Sequence, residues 1–418
     1  MAVVVERKGK RGKEAELLSP AGGREQLEAA VKFGADAVYL AHEKFNMRTG
    51  AQNFDDNGLR SAVEYAHGAG VKVYITLNTM PHNDEIKEVP QVIETAADAG
   101  VDAFIVSDAG VFALCRKYAE NTDIHISVQA GIVNSESAKM WYNLGATRAV
   151  LARELTLDEI SDIRAEIPDD MQLEAFAHGA MCVSRSGRCL LSDYMTGRDA
   201  NRGDCAQSCR WRYALCEEKR PGVYYPIEED ESGSYILNAN DLNMAAYIDK
   251  MSQAGIYSFK IEGRAKSAYY TAVTTYAYRA AIDAYLKSES GEYRPQQWVL
   301  DELDKISHRV YSTGFYFGRP TGEQTYNTGG YIRTHQVVGI AGEYSGELLR
   351  VSQRNRFYRG DVLDCLEPGK EPYNVTVERI FNLSGEEIEC ANKAAEDVFI
   401  KCSSADVDIG AYMRKKID

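Results

Sequence analysis

The chain has 418 residues, 26% of them charged, and a formal net charge of −14. This length allows a large core and two domains, and the negative charge excludes a protein whose whole surface binds nucleic acid, because phosphates would be repelled. No stretch approaches the roughly 18 apolar residues of a membrane span. Residues 1–15 form a basic tail whose apolar run is too short for a signal peptide. We therefore expect a cytoplasmic protein with no membrane contact.

Short β-rich runs alternate with amphipathic helices from residue 16 onward. Five helices end at a glycine that is followed almost at once by a strand, at Gly34, Gly70, Gly100, Gly145 and Gly255. The runs occupy residues 16–20, 36–41, 72–78, 103–107, 124–128, 148–152, 173–177 and 259–263. This repetition predicts a TIM-type (β/α)8-like barrel over residues 16–290. Residues 235–239 form a ninth candidate run, so one run must lie outside an eight-stranded barrel.

Polar residues follow several of these strands, at the end of a TIM-type barrel where catalytic groups gather. His178 could transfer a proton, ligate a metal or be a buried histidine with its hydrogen bonds satisfied. Glu262 and Arg264 could pair with each other, or the guanidinium of Arg264 could hold a carboxylate substrate through two hydrogen bonds. Gln129 could bind substrate or cap the chain locally.

Four of the nine cysteines lie within 28 residues. They are Cys182, Cys189, Cys205 and Cys209, separated by six, fifteen and three residues. Four thiolates suit tetrahedral zinc or an iron–sulfur cluster, and the uneven spacing favours the cluster over paired zinc knuckles. Two disulfides or four buried apolar thiols are the alternatives, and an odd cysteine count in a reducing compartment disfavours disulfides. Cys216 is a spare candidate ligand.

This cysteine-rich insertion, at about residues 178–216, begins directly after the run at 173–177. A cluster held there would lie over the C-terminal end of the barrel. Residues 182–213 carry six arginines against three aspartates, a local charge of +3 in an otherwise acidic chain. A basic patch of this kind fits an anionic substrate or a focused RNA contact, although the arginines could equally pair with neighbouring carboxylates.

The pattern changes after the helix predicted at residues 266–286. Residues 291–418 read as a linker followed by short alternating runs, which predict a small all-β barrel or sandwich. Cys115 falls on a helical apolar stripe, and Cys365, Cys390 and Cys402 fall singly on strands, so core packing is expected for all four. Residues 308–320 interleave aromatic side chains with arginines, which suits base stacking or domain packing.

The stretch EAFAHGAMCVSRSGRCLLS resembles the signature of the collagenase-like peptidase family U32. LLSPAGGREQLEAAVKFGADAVYL, RWRY, FKIEGR and HRVYSTGFYFG extend the resemblance over nearly the whole chain. The sequence contains no H-E-x-x-H zinc site and no G-x-S-x-G elbow. Length and the C-terminal β domain resemble most the family branch that hydroxylates wobble uridine of tRNA to 5-hydroxyuridine.

That resemblance implies a 4Fe-4S cluster, prephenate as a co-substrate and contact with the tRNA anticodon region. The implied cluster ligands are Cys182, Cys189, Cys205 and Cys209. Cys209 is the least certain, since other branches place their last ligand near the position held here by Asn243.

The barrel end would hold a small dicarboxylate next to the cluster. Arg48, Arg264 and Gln129 are the candidate substrate-binding residues, and His178 and Glu262 the candidate catalytic residues. A collagenase-like peptidase, or an RNA-binding subunit that needs a second family member for activity, are the alternative functions.

Overall fold

A computed structural model describes residues 15–48, 50–181, 189, 191–208, 211, 215–216, 224–225, 229–230, 233–234, 240–288, 293–318, 331–393, 395–403 and 406–417. The chain divides into two compact units. The first comprises Met1–Pro295 with Arg309–Tyr331, and the second comprises Gln296–His308 with Ile332–Asp418.

The first unit contains the strands of the predicted barrel. Its strands are β1 (Glu16–Pro20), β2 (Ala37–Leu40), β3 (Lys72–Leu77), β4 (Ala103–Val106), β5 (Asp123–Ile126), β6 (Arg148–Val150), β7 (Gln172–Ala180), β8 (Leu215–Cys216), β9 (Tyr224–Tyr225), β10 (Glu229–Asp230), β11 (Gly233–Ser234), β12 (Asp241–Asn243), β13 (Ser258–Ile261) and β14 (Tyr311–Ser312). Its helices are α1 (Arg24–Lys32), α2 (Asp56–Gly68), α3 (Val89–Ala99), α4 (Ala109–Tyr118), α5 (Ser135–Leu144), α6 (Leu157–Glu166), α7 (Leu191–Thr196), α8 (Ile248–Gln253) and α9 (Ala268–Lys287). Within the described ranges, no helix is both long and apolar enough to span a membrane.

Eight parallel strands close into a barrel, in the order β1 to β7 followed by β13, which pairs with both β7 and β1. The predicted TIM-like barrel is confirmed, and all eight runs other than residues 235–239 form it. That ninth run lies outside the described residues. Next to it in sequence, β12 pairs antiparallel with β7 on the outside of the closed barrel, and β14 pairs parallel with β12.

The barrel unit includes a segment that follows the boundary predicted near residue 290. Arg309–Tyr331 belongs to the barrel unit, because β14 completes the sheet edge formed by β12. An isolated strand pair cannot be recognised from a two-residue run, since pairing with a distant strand is what stabilises it.

The local signals in the sequence have the expected backbone conformations. Gly34, Gly70, Gly100, Gly145 and Gly255 all have positive φ, between 75° and 107°. Thr156 and Glu159 form a capping box at the start of α6. Left-handed glycines end each helix abruptly, which lets the next parallel strand begin within a few residues.

The barrel interior contains a buried charge network near the N-terminal ends of its strands. Arg148 lies 2.6 Å from Glu16 and 3.0 Å from Glu174, and Lys260 lies 2.7 Å from Glu174. Tyr74 donates to Glu16 at 2.7 Å. Two cations balance two carboxylates, so the interior is neutral as a whole and each charge depends on its partners.

The second unit is an antiparallel β-barrel, which confirms the predicted all-β domain. Its elements are α10 (Gln297–Leu303), β15 (His335–Ser345), β16 (Leu348–Gln353), β17 (Phe357–Tyr358), β18 (Val362–Leu366), β19 (Tyr373–Phe381), β20 (Glu387–Ile388), β21 (Cys390–Ala391), β22 (Asp397–Cys402) and β23 (Tyr412–Lys416). The order β18, β23, β15, β16, β22, β19 closes through a β18–β19 pairing. Cys365 is buried in the core of this barrel and Cys402 packs against it, while Cys390 is half-buried.

Candidate functional site

The loop after β2 carries Arg48 to the C-terminal end of the barrel. Asn46 shapes this loop: its Nδ2 donates to the carbonyl of His42 at 2.8 Å, and its Oδ1 accepts the amide N–H of Arg48 at 2.9 Å. Asn53, which has a φ of 54°, donates from Nδ2 to the carbonyl of Arg48 at 3.1 Å. Two asparagines therefore hold the backbone of Arg48 from both sides, while its side chain stays 35% exposed.

Arg264 lies beneath the same loop and is buried, with 3% of its surface exposed. Its Nη1 donates to Oδ1 of Asn53 at 3.4 Å and its Nη2 to Oδ1 of Asn46 at 3.5 Å. Burial, aided by the positive charge of Arg48, lowers the pKa of Arg264 to about 10. The group remains charged at neutral pH, and it supports the loop that positions Arg48.

Glu262 lies at the centre of this end of the barrel. Its carboxylate is 3.3 Å from Nη2 of Arg48 and 3.1 Å from Nη2 of Arg153. Burial by itself would raise the pKa of Glu262, but the charges of Arg48, Arg153, Arg264 and Lys260 lower it to about 2. Glu262 is therefore an anion at any physiological pH, and as such it can accept hydrogen bonds but cannot donate a proton.

Arg153 also lies at this end of the barrel, and it was not among the site residues predicted from the sequence. Its Nη1 donates to the carbonyl of Ala180 at 2.8 Å, and its guanidinium lies 3.8 Å from the centroid of the Phe176 ring. Stacking and a fixed hydrogen bond hold the guanidinium plane in one orientation. The available signal was its place directly after the run at 148–152, where a strand-end arginine projects toward the barrel opening.

These four residues, Arg48, Arg153, Glu262 and Arg264, are called the mouth cluster below. Three guanidinium groups surround one carboxylate, which leaves an excess of two positive charges. Guanidinium groups bind carboxylates through paired hydrogen bonds, so the mouth cluster can accept a further anion beside Glu262. Glu262 pairs with Arg48 and Arg153; pairing of Glu262 with Arg264 was one of the two alternatives raised from the sequence.

Gly22 allows the mouth cluster to close. A Cβ atom at this position would lie 1.8 Å from the carbonyl oxygen of Arg264. We expect Gly22→Ala to displace that backbone and to lower the free energy of unfolding by about 1–3 kcal/mol. Gly68→Ala, at a helical position with open space around it, should instead raise stability by up to about 1 kcal/mol. Urea unfolding of both variants tests this, and equal effects would show that the contact with Arg264 is unimportant.

His178 lies in a different environment from the mouth cluster residues. It is buried, its Nδ1 lies 3.4 Å from the hydroxyl of Tyr278, and its ring packs 5.4 to 6.0 Å from those of Tyr270, Tyr278 and Tyr311. These are contacts to α9 and β14. A buried histidine in an aromatic shell matches the third possibility raised from the sequence, and its catalytic role stays a prediction.

Gln129 lies in the single 3-10 turn Val128–Ala130 that follows β5. Its backbone N–H donates to Oγ of Ser127 at 3.3 Å, so Ser127 caps this turn. The side chain is half-buried. A substrate contact by Gln129 stays a prediction.

Two of the predicted cluster ligands, Cys189 and Cys205, are described. Asn201 ties the first to the insertion, since its Oδ1 accepts the N–H of Cys189 at 3.4 Å and its Nδ2 donates to the carbonyl of Cys189 at 3.2 Å. Ser192 links α7 to the second, because its Oγ accepts the N–H of Ala206 at 2.9 Å. The segments that carry Cys189 and Cys205 are thus both bonded to the α7 region.

The thiol of Cys205 accepts a hydrogen bond from the backbone two residues further along. The amide N–H of Gln207, a residue with a φ of 56°, points at Sγ of Cys205 at 3.4 Å. Amide donors of this kind stabilise a thiolate in a cluster. Cys182 and Cys209 lie outside the described residues. Among the residues that are described, no group of three His, Cys, Asp or Glu side chains is placed to hold a metal.

Comparison with known proteins shows two matches to family descriptions and several relatives. "Peptidase family U32" matches residues 22–326, and "Peptidase family U32 C-terminal domain" matches residues 333–414. The chain is 36% identical to "tRNA hydroxylation protein P1" of Bacillus subtilis, over 93% of this chain and 92% of that protein. It is 36% identical to "tRNA hydroxylation protein P" of Escherichia coli, over 90% and 91% of the two chains. It is also 35% identical to a protein named "Collagenase" from Porphyromonas gingivalis, over 80% and 81%.

Proposed function

The chain belongs to peptidase family U32, and on that basis we propose that it hydroxylates wobble uridine of tRNA to 5-hydroxyuridine, with prephenate as co-substrate and a 4Fe-4S cluster as cofactor. Two lines of observation support this proposal. Two relatives named for tRNA hydroxylation match over nine-tenths of their lengths, including the β domain. The mouth cluster carries an excess of positive charge, as binding of a dicarboxylate requires.

The observation that carries the proposal is the convergence of Arg48 and Arg153 on Glu262. Both guanidinium groups contact the same carboxylate and so face one small region. A dicarboxylate such as prephenate can bind there through one carboxylate, while Arg264 supports the loop from below. Glu262, held ionised, keeps the two guanidinium groups oriented when no substrate is bound.

The residues of the cysteine-rich insertion fit a cluster. Cys189 and Cys205 would hold it, together with Cys182 and Cys209, and the amide of Gln207 would donate to the sulfur of Cys205. Four thiolates are the usual ligand set of a 4Fe-4S cluster, which would supply electron transfer when bound.

An exposed tyrosine beside two cations offers a contact for the anticodon region. Tyr331 is 40% exposed, the Nζ of Lys266 lies 4.6 Å from its ring centroid, and the guanidinium of Arg309 lies 5.9 Å away. Nucleobases stack on such rings while a neighbouring cation contacts phosphates, a contact open to Lys266 but not to Arg309, which is buried and paired with Asp241 at 2.9 Å. Lys266 follows Arg264 by two residues, so this surface adjoins the mouth cluster.

We expect Tyr331→Ala to weaken tRNA binding by about 1–3 kcal/mol, the cost of losing one stacked base. Tyr331→Phe keeps the ring and should bind like the wild type. Filter binding or fluorescence anisotropy with a cognate tRNA measures both. Equal weakening in the two variants would point to the hydroxyl and would contradict stacking.

The proposed reaction is tested by nucleoside analysis. The chain is expressed in a bacterial host that lacks its own uridine hydroxylases, and 5-hydroxyuridine in purified tRNA is measured by mass spectrometry. We expect the modified nucleoside to appear, and to disappear again in a host unable to make prephenate. Absence of 5-hydroxyuridine from cells that contain intact protein would contradict the proposal.

The cofactor is tested separately. Anaerobic purification of the wild type should yield about four irons and four sulfides per chain. Cys205→Ser should lose most of both, whereas Cys390→Ser, a half-buried cysteine of the β domain, should retain them. Stoichiometric zinc, or metal content unaffected by Cys205→Ser, would remove the cluster from the proposed function.

Two alternatives give different results in the same preparations. A collagenase-like peptidase, which the name of the Porphyromonas gingivalis relative denotes, would cleave gelatin and leave tRNA unmodified. An RNA-binding subunit would bind tRNA without modifying it, and would gain activity on addition of a second family member.

A further inference from the structure

The β domain contains a cavity of about 360 Å³, and its lining residues belong to neither the mouth cluster nor the cysteine-rich insertion. Cations dominate its lining: Lys305, Arg414, Lys415 and Lys416 contribute to it, with Asp364 as the acidic residue among the lining side chains. The pairing of β15 with β23 places His335 opposite Lys416, and the pairing of β18 with β23 places Asp364 opposite Arg414. The closed topology of the β domain therefore assembles this cavity from distant parts of the chain.

Most of these cations have carboxylate partners. Arg414, fully buried, lies 2.6 Å from Glu302 and 3.1 Å from Asp364. Lys305 lies 2.6 Å from each of the same two carboxylates. These two cations and two carboxylates balance one another within the cavity wall. Removing any one of them would leave a buried charge unpaired.

The remaining charge lies toward the cavity opening. Lys415 is 3.0 Å from Asp361, in a pair that is partly exposed on both sides. Such a pair is weak and can exchange partners. Lys416 is exposed, and within the described part of the chain no carboxylate pairs with it. The cavity thus has an excess of one positive charge at its rim.

Positively charged side chains predominate around His335. Its Nδ1 is 2.9 Å from the hydroxyl of Thr334. Burial lowers the pKa of His335, and the charges of Arg414, Lys305 and Lys416 lower it further against an opposing contribution from Asp364. The ring is therefore neutral at physiological pH and adds hydrogen-bonding capacity without charge.

Two of the lining residues are apolar. Val362 is 55% exposed, and Pro372 lies toward the other end of the β18–β19 pair, with Asp364 and Asn374 between them. The volume exceeds that of a bare phosphate and lies in the range of small-molecule sites. A ligand with a phosphate at Lys416 and a sugar or base against Val362 matches the chemistry of these two side chains.

We propose that this cavity of the β domain binds one nucleotide unit of the RNA substrate, with its phosphate at Lys416 and Lys415 and its ribose or base against Val362. The inference rests on the proposed function, since it takes RNA as the ligand. Contacts of this kind set the position of an RNA without reading its sequence.

The site is weak, and this favours RNA over a free nucleotide as its ligand. An excess of a single charge at an exposed rim binds an isolated phosphate weakly. The same contact becomes effective when other parts of a long polyanion are already bound, because the second contact is then intramolecular. An acidic chain with a net charge of −14 also needs localised cations of this kind to approach tRNA.

The test is the salt dependence of tRNA binding to the full chain. We expect Lys416→Gln to raise the Kd about fivefold at 0.15 M salt, the counterion contribution of one phosphate contact, and to reduce the slope of log K against log salt by about one. Lys401→Gln is the matched control, since Lys401 is an exposed lysine of the same domain, on β22, paired with Glu347 at 3.0 Å. It should change the Kd less than twofold.

The outcomes separate this inference from the proposed function. An unchanged slope in Lys416→Gln, or equal losses in both variants, would overturn the cavity as a specific contact. Uridine monophosphate that binds the wild type but not Lys416→Gln, with tRNA affinity unaffected, would overturn RNA as the ligand. In the same preparations 5-hydroxyuridine is measured at saturating tRNA. Its absence from the wild type, with the effect of Lys416→Gln intact, would remove the hydroxylation proposal and leave the RNA contact standing.

Discussion

Replacing Arg153 with lysine is expected to lower the rate of tRNA hydroxylation by about 10²- to 10³-fold, the cost of removing one preorganised donor from an active site. Lysine keeps the charge, but it cannot hold the carbonyl of Ala180 and the carboxylate of Glu262 with two fixed donors while stacking on Phe176. The substrate carboxylate would then bind in several orientations, and misplacement by an ångström is costly for catalysis.

The measurement is single-turnover formation of 5-hydroxyuridine over a range of prephenate concentrations. A rise in KM for prephenate is expected together with the loss in rate, and iron content should remain unchanged. Arg350→Lys is the control, because Arg350 forms an exposed pair with Asp397 in the β domain. If Arg153→Lys retained full activity, the mouth cluster would not bind the co-substrate and another anion site would be required.

Replacing Arg148 with methionine is expected to destabilise the barrel by about 3–5 kcal/mol, the cost of removing one partner from a buried ionic network. Its guanidinium contacts both Glu16 and Glu174 inside the barrel and is 1% exposed. Without it, Glu174 would keep the ammonium of Lys260 as a partner, whereas Glu16 would lose the guanidinium that balances its charge. Urea unfolding measures the change, with Arg350→Met as an exposed control expected to cost less than about 1 kcal/mol.

The effect of Arg148→Met should depend on pH. Burial favours the neutral form of Glu16, yet the charge of Arg148 and hydrogen bonds lower the pKa of Glu16 below its ordinary value. Ionised Glu16 therefore stabilises the wild type above the pKa of the unfolded chain, and this contribution is lost as pH falls through the folded-state pKa. In the variant the charge and hydrogen bonds of Arg148 are lost, so the pKa of Glu16 in the folded chain rises. The stability gap should accordingly narrow from pH 7 to pH 4, and a constant gap would show that lost packing dominates.

Local sequence patterns predict the repeating strands and helices and the glycine junctions between them. Strands of period two and helices of period 3.6 with left-handed glycines, such as Gly100 and Gly145, are encoded within a few residues of each element, so the eight barrel strands could be predicted. The β domain followed from the same local signals. Cys189 and Cys205 were recognised because their spacing is a property of the sequence, although ligation of a cluster by them stays a prediction.

Which polar side chains contact one another depends on the tertiary structure. Arg48, Arg153 and Glu262 are separated by more than 100 residues from one another, and closure of the barrel brings both guanidinium groups within 3.3 Å of the carboxylate. The same closure places Arg148 between Glu16 and Glu174, a network that no local pattern encodes. It also places His178 among tyrosines of α9 and β14. Local propensity depends on neighbours in sequence, whereas ion pairing depends on distance in space, and distance is set only when the first and last strands of the barrel pair.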